Sequence, residues 1–166
     1  MVKESSTTIR VAQISTGFVE IPNSISLNIY AQGCRINCPN CQNKELQKFD
    51  GGTLIDYCDI KTSIENHSLC NWICWLGGDA TFQPNSFKKI NSLISNDFPR
   101  LKICLYTGRL FDDISALLDD VDLVIDGPWN GIPVIDKNTN QRIFYKADKI
   151  WNHIPNWEKL KELMKN

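Results

Sequence analysis

The sequence predicts an α/β fold built on a mainly parallel sheet and arranged as an open partial (β/α) barrel. Three observations carry that reading. Short apolar, β-branched runs have strand length, and amphipathic stretches of helical spacing alternate with them from about residue 26 onward. The chain has 166 residues, whereas a closed eight-unit barrel needs ~250. Alternating strands and helices build right-handed βαβ units, whose strands lie parallel in one sheet. With 42% of its residues hydrophobic the chain can bury one good core, so residues 1–166 read as a single domain.

The runs at 9–14, 26–31, 72–76, 102–106 and 123–125 are expected as strands. Helical spacing is present at 56–66, at 86–94 through Phe87, Ile90, Leu93 and Ile94, and at 112–118 through Ile114, Leu117 and Leu118. After Asp126 the pattern loosens. Gly127, Pro128, Gly131 and Pro133 mark a loop, 141–145 reads as a late strand, and Asn156 is placed to cap a terminal helix through Lys165.

Charge narrows the function classes. There are 18 Lys plus Arg against 19 Asp plus Glu, a net of -1, with no basic run that would neutralise a line of phosphates. Nucleic acid is therefore not expected as a partner. The start of the chain, residues 1–8, is polar and lacks the apolar core of a signal peptide, and no apolar run approaches the ~20 residues needed to span a bilayer. We expect a cytoplasmic protein with no membrane association. Its seven cysteines are an odd number, and in a reducing compartment clustered cysteines bind metal more often than they pair.

Three of the seven are clustered. Gly33-Cys34-Arg35-Ile36-Asn37-Cys38-Pro39-Asn40-Cys41 places Cys34, Cys38 and Cys41 within eight residues, directly after the strand that ends near Ala31. Thiolates are soft ligands that suit zinc or iron-sulfur clusters, and a closed structural site of either kind takes four protein ligands. The local count stops at three. On a cubane of four irons, one iron would keep an open coordination position. The competing readings are a zinc site completed by a distant cysteine and three ordinary buried thiols. A second signal follows one βα unit later: Gly77-Gly78-Asp79 ends the run Trp72-Ile73-Cys74-Trp75-Leu76. Glycines at such a strand end would let a polar ligand approach the backbone, and the carboxylate could accept from an ammonium group. By itself Gly-Gly-Asp is more often a turn.

The C-x-x-x-C-x-x-C loop resembles the cluster motif of the radical S-adenosylmethionine (SAM) superfamily. The resemblance implies a [4Fe-4S] cluster on Cys34, Cys38 and Cys41, with SAM chelated to the open iron and cleaved to a 5'-deoxyadenosyl radical. Gly77, Gly78 and Asp79 would then hold the amino acid end of SAM, with Asn40 and Gln42 beside it. Within the superfamily, Cys41-Gln42-Asn43, Tyr106-Thr107-Gly108, Asp122-Leu123-Val124-Ile125-Asp126-Gly127-Pro128 and Asn140-Gln141-Arg142-Ile143 resemble, in order and spacing, the activating protein of anaerobic ribonucleoside-triphosphate reductase. That family implies a glycyl radical made on the large reductase subunit, and a low-potential electron donor such as flavodoxin or ferredoxin. Thr107 and Asp126, at strand ends facing the same mouth, are candidate cofactor contacts. Capping of the next helix or turn is their other reading.

Cys58, Cys70, Cys74 and Cys104 read as packing thiols rather than a second cluster. His67 and His153 have no metal or catalytic constellation around them. The tryptophans read as packing residues, with Trp129 after Gly127-Pro128 placed to border the mouth. Two other functions stay open: a radical SAM enzyme acting on a small molecule, such as a deazapurine-type synthase, and a non-catalytic zinc or iron-sulfur module.

Overall fold

The run Trp72-Ile73-Cys74-Trp75-Leu76 is bulky and apolar at every position, the pattern of a strand buried on both faces. It forms a central strand of an eight-stranded sheet. The computed structural model describes residues 7–165; the first six positions of the polar start lie outside them. Strands β1 (Thr8–Gly17), β2 (Ser26–Ala31), β3 (Thr53–Asp56), β4 (Trp72–Gly77), β5 (Lys102–Tyr106), β6 (Leu123–Asp126), β7 (Arg142–Ala147) and β8 (Ile150–Ile154) lie in the order β3-β1-β2-β4-β5-β6-β7-β8. Helices α1 (Tyr57–Asn66) and α2 (Pro84–Asp97) follow β3 and β4. A short α3 (Phe111–Ile114) follows β5, and α4 (Trp157–Leu163) ends the chain.

All five expected strands form, but the expectation of a mainly parallel sheet is corrected. Only the pairings β2/β4, β4/β5 and β5/β6 are parallel, and the four outer pairings are antiparallel. The reason is the connections. A parallel neighbour needs a crossover of a dozen or more residues, and no crossover helix lies between β1 and β2 or between β6 and β7. The sheet is thus mixed and open, with β3 and β8 at its edges.

Two strands had little sequence signal. β3 has only four residues, none of them buried. β8 pairs with β7 around Asp148 and Lys149, both at positive φ (51° and 65°), a tight turn made without the usual Asn-Gly or Asp-Gly dipeptide. The helix expected at 112–118 is also cut short. After Ile114 the chain takes i, i+3 turns, with Leu118 N–H donating to Ser115 O and Val121 N–H to Leu118 O, each 3.2 Å. These bring Ile114, Leu118 and Val121 into the core while the chain turns toward β6.

Alternation along the strands sorts the core onto two faces. Ile73, Trp75, Ile103, Leu105 and Val124 face α1 and α2, which contribute Ile60, Ile64, Phe87, Ile90 and Ile94. Trp72, Cys74, Cys104, Leu123 and Ile125 face the other way, against Ile21 and the Trp157 and Leu160 side chains of α4. The Asn156 side chain accepts from Lys159 N–H, so the expected cap of α4 is present. On this second face the C-terminal ends of the parallel strands meet the cysteine loop. No helix among the described residues is long and apolar enough to cross a membrane.

Candidate cluster site

The cysteine loop is shaped by backbone pairing and not by a core of its own. Gly33 N–H donates to Leu46 O (2.8 Å) and Cys34 N–H to Gln47 O (3.1 Å), so residues 33–47 leave β2 and fold back beside it. The buried Gln32 fixes the return by donating from Nε2 to Lys48 O (2.6 Å) and Glu45 O (3.3 Å). Gly33 holds φ +99°, and a Cβ there would fall 2.5 Å from the Phe49 ring, so glycine is needed on both counts.

Gly77-Gly78-Asp79 docks onto this loop. Gly78 N–H donates to Ala31 O (2.8 Å) and Asp79 N–H to Gly33 O (2.9 Å). A Cβ on Gly78 would meet Gly33 O, Leu46 O and Ala31 O at 2.7–2.9 Å. The glycines thus admit the backbone of the cysteine loop, where the sequence suggested the approach of a ligand. The carboxylate expected at the SAM amino group is also committed elsewhere. Asp79 is fully buried. Its Oδ1 accepts from Thr81 N–H (3.0 Å) and the Thr81 hydroxyl (2.7 Å), and its Oδ2 accepts from the Thr107 hydroxyl (2.7 Å) and Gly108 N–H (3.1 Å). Burial pushes this carboxyl above its ordinary range, against the four hydrogen bonds that draw it down. Asp79 is a clamp between the end of β4 and the end of β5.

The other candidates divide. Cys34, Cys38, Cys41, Gln42, Gly77, Gly78 and Thr107 line one pocket of about 620 Å³; Asn40, Asp79 and Asp126 do not. Asn40 is exposed beside Gly131. Thr107 reaches the pocket wall, but its hydroxyl donates to Asp79 and accepts from Arg109 N–H (3.1 Å). Asp126 is fully buried and reaches back to α3 and across to β7, not on to a following helix or turn: it accepts from Phe111 N–H (2.6 Å) and from Arg142 Nε (3.0 Å), and it pairs with the Arg142 guanidinium. Sequence reasoning missed Glu20, Tyr30 and Val134 as pocket residues, and it read Trp157 as closing the core or docking a partner and not as lining the pocket. These reach the pocket from a loop, a strand and the terminal helix that only the fold brings together.

The three thiols are half-buried on one wall. Among the described residues no three His, Cys, Asp or Glu side chains stand close enough to grip a single ion. A cubane does not ask for that, because each cysteine binds a different iron. Burial pushes the Cys34 thiol above its ordinary value, while the N–H groups of Ile36 and Asn37 draw it down. Iron would hold it as the thiolate. A distant fourth cysteine has no candidate: Cys58, Cys70, Cys74 and Cys104 are all outside the pocket lining, and the last two are fully buried. The pocket wall also contains Trp129, whose indole N–H is buried without an acceptor. Such an orphan donor in the wall suits a site completed by a bound group.

A family model described as a 4Fe-4S single cluster domain matches residues 24–145. The chain belongs to that family, and its cofactor is a [4Fe-4S] cluster, for which Cys34, Cys38 and Cys41 are the only cysteines lining the pocket. No curated protein matches. Among solved structures, the crystal structure of QueE from Escherichia coli is similar at TM-score 0.49 and 10% identity, covering 61% of this chain and 52% of that one. The chain therefore spans about half the length of that protein, and a likeness of this size carries no argument about activity.

Two substitutions test the docking. Gly78→Ala is expected to destabilise the chain by about 1–3 kcal/mol through overpacking against three carbonyls. Asp79→Asn places an amide N–H₂ against hydroxyl and amide donors and is expected to cost about 2 kcal/mol. Urea unfolding of each variant beside Arg142→Ala, which removes the guanidinium but leaves the Phe111 N–H on Asp126 and is expected to cost about 2 kcal/mol, gives the comparison. Wild-type midpoints for the first two would refute the clamp.

Proposed function

We propose that this chain is a radical SAM enzyme, with the cluster on Cys34, Cys38 and Cys41 and SAM bound beside it. The observation that supports this best is a pocket with three cysteines on its wall and no fourth cysteine or histidine among its lining residues, which leaves one iron of the cubane without a protein ligand. Cys34, Cys38 and Cys41 would hold the cluster, which when bound and reduced would supply the electron for cleavage of SAM and so the radical chemistry at the substrate.

The chain's own residues hold and shield. The Gly33–Leu46, Cys34–Gln47 and Gly78–Ala31 backbone pairings fix the cysteine loop before any ligand arrives, so little ordering cost falls on binding. Gly77 and Gly78 line the pocket wall, and the amino acid end of SAM would lie against that stretch of main chain. Leu76, Tyr106, Val134 and Trp157 line the wall with apolar and aromatic surface, which keeps water from a reactive radical.

Two substrate readings have different support. A small-molecule substrate is favoured by the pocket itself, because one chain supplies walls from β2, β4, β5 and α4 without a partner. A glycyl residue of a large reductase subunit is favoured by the activating-protein motifs and by a mouth where Val19 and Ile135, both lining residues, are 82% and 59% exposed.

Anaerobic reconstitution with iron and sulfide, followed by electron paramagnetic resonance, tests the reading. A reduced four-iron signal that shifts on adding SAM is expected, and each of Cys34→Ala, Cys38→Ala and Cys41→Ala should lose most of the bound iron. Stoichiometric zinc with no response to SAM would overturn it. Supplying a large glycyl-radical subunit then separates the two substrates: a glycyl doublet on the partner favours the activase, and 5'-deoxyadenosine release driven by a small molecule alone favours the synthase.

A further inference from the structure

The charge around the pocket is one-sided. Among its lining residues there is no Lys, Arg or His, and Glu20 is the only acidic one. Two nearby cations are drawn to other surfaces. Arg35 lies over the Phe49 ring at 5.1 Å and Arg109 over the Phe82 ring at 5.8 Å, and that edge-to-face aromatic pair borders a separate cavity. Glu20 itself has a built place. Gly17 leaves room for its carboxylate, since a Cβ there would fall 2.2 Å from Glu20 Oε2. Its Oε2 accepts from Val19 N–H (3.2 Å), and its carbonyl accepts from the Tyr106 hydroxyl (2.7 Å), which ties the loop to the pocket floor.

We infer that this pocket selects its substrate by charge, admitting neutral or cationic groups and excluding phosphate and carboxylate groups, with Glu20 as the residue that sets the selection. An anion entering a partly desolvated wall would lose water and gain no cation in return. The carboxylate of SAM would be the exception, its charge met by the cluster iron that has no cysteine and not by a cation of the wall. Burial first, then the neighbouring thiols, push Tyr106 well above its ordinary value, so its phenol adds no charge at the pocket floor. The inference rests on the pocket being the reaction site, and it narrows the substrate to compounds that present no anionic group there.

The pocket cysteines report the field directly in the full chain without cluster. Methanethiosulfonate reagents transfer their alkylthio group to a thiolate: the sulfur–sulfur bond of the reagent breaks, a mixed disulfide forms and methanesulfinate leaves. The test compares a trimethylammonium reagent with a sulfonate reagent, reading each cysteine by peptide mass spectrometry. Exposed Cys58 is the internal standard. Relative to Cys58, the cationic reagent is expected to be favoured about tenfold at Cys34, Cys38 and Cys41, the effect of roughly one nearby charge at an intermediate dielectric. Glu20→Gln should reduce that preference several-fold, Glu20→Lys should reverse it, and high salt should weaken it in the wild type. Inorganic triphosphate should give the three cysteines no protection from iodoacetamide. Equal rates for the two reagents, a preference unmoved by either substitution, or protection by triphosphate would overturn the inference. Neither cluster nor SAM is present in this test, so its failure is separate from failure of the radical chemistry.

Discussion

The site depends on one backbone contact: the end of β4 lying directly on the root of the cysteine loop. Gly78 and Asp79 donate to Ala31 and Gly33, and Gly78 lies too close to three carbonyls for any side chain. Because the donors and acceptors are main-chain groups in a buried setting, leaving them unmade would cost more than the bonds return in water. This contact is what places the cysteine loop at the C-terminal ends of the central strands with a defined orientation.

Asp79 extends the contact to a second strand end. Its four hydrogen bonds join the turn after β4 to Thr107 and Gly108 after β5. Asp126 does a comparable job one strand further, joining β6 to the start of α3 and to β7 through Arg142. Two carboxylates that resemblance offered to a cofactor thus serve as buried fasteners of strand ends. The consequence for chemistry is that the pocket keeps little fixed charge of its own. Its lining is mostly aliphatic, aromatic, amide and main-chain glycine, with the thiols on one wall. A surface of this kind suits a reaction whose power comes from the cofactor, while the protein supplies position and exclusion of water.

The two faces of the sheet divide the work. α1 and α2 cover one face with a conventional aliphatic core. The other face is covered by the β1–β2 loop through Ile21 and by α4 through Trp157 and Leu160. That cover reaches the pocket, where Trp157 is a lining residue, so the terminal helix closes the core and shapes the site at once.

Much of this was legible in the residues alone. The Cys34, Cys38 and Cys41 spacing pointed to the cluster because ligand count and softness are local properties, and the buried strands were readable from runs such as 72–76 because burial on both faces demands apolar residues throughout. The antiparallel outer pairings, β8 and the truncated α3 were not, since edge pairing and tight turns depend on which neighbour the chain meets. The same holds for the carboxylates. The sequence determined that Asp79 and Asp126 sit at strand ends; only tertiary structure decided that their oxygens turn inward to Thr107, Gly108, Phe111 and Arg142, because those donors are 15 or more positions away. A buried carboxylate takes whichever donors the fold brings within reach.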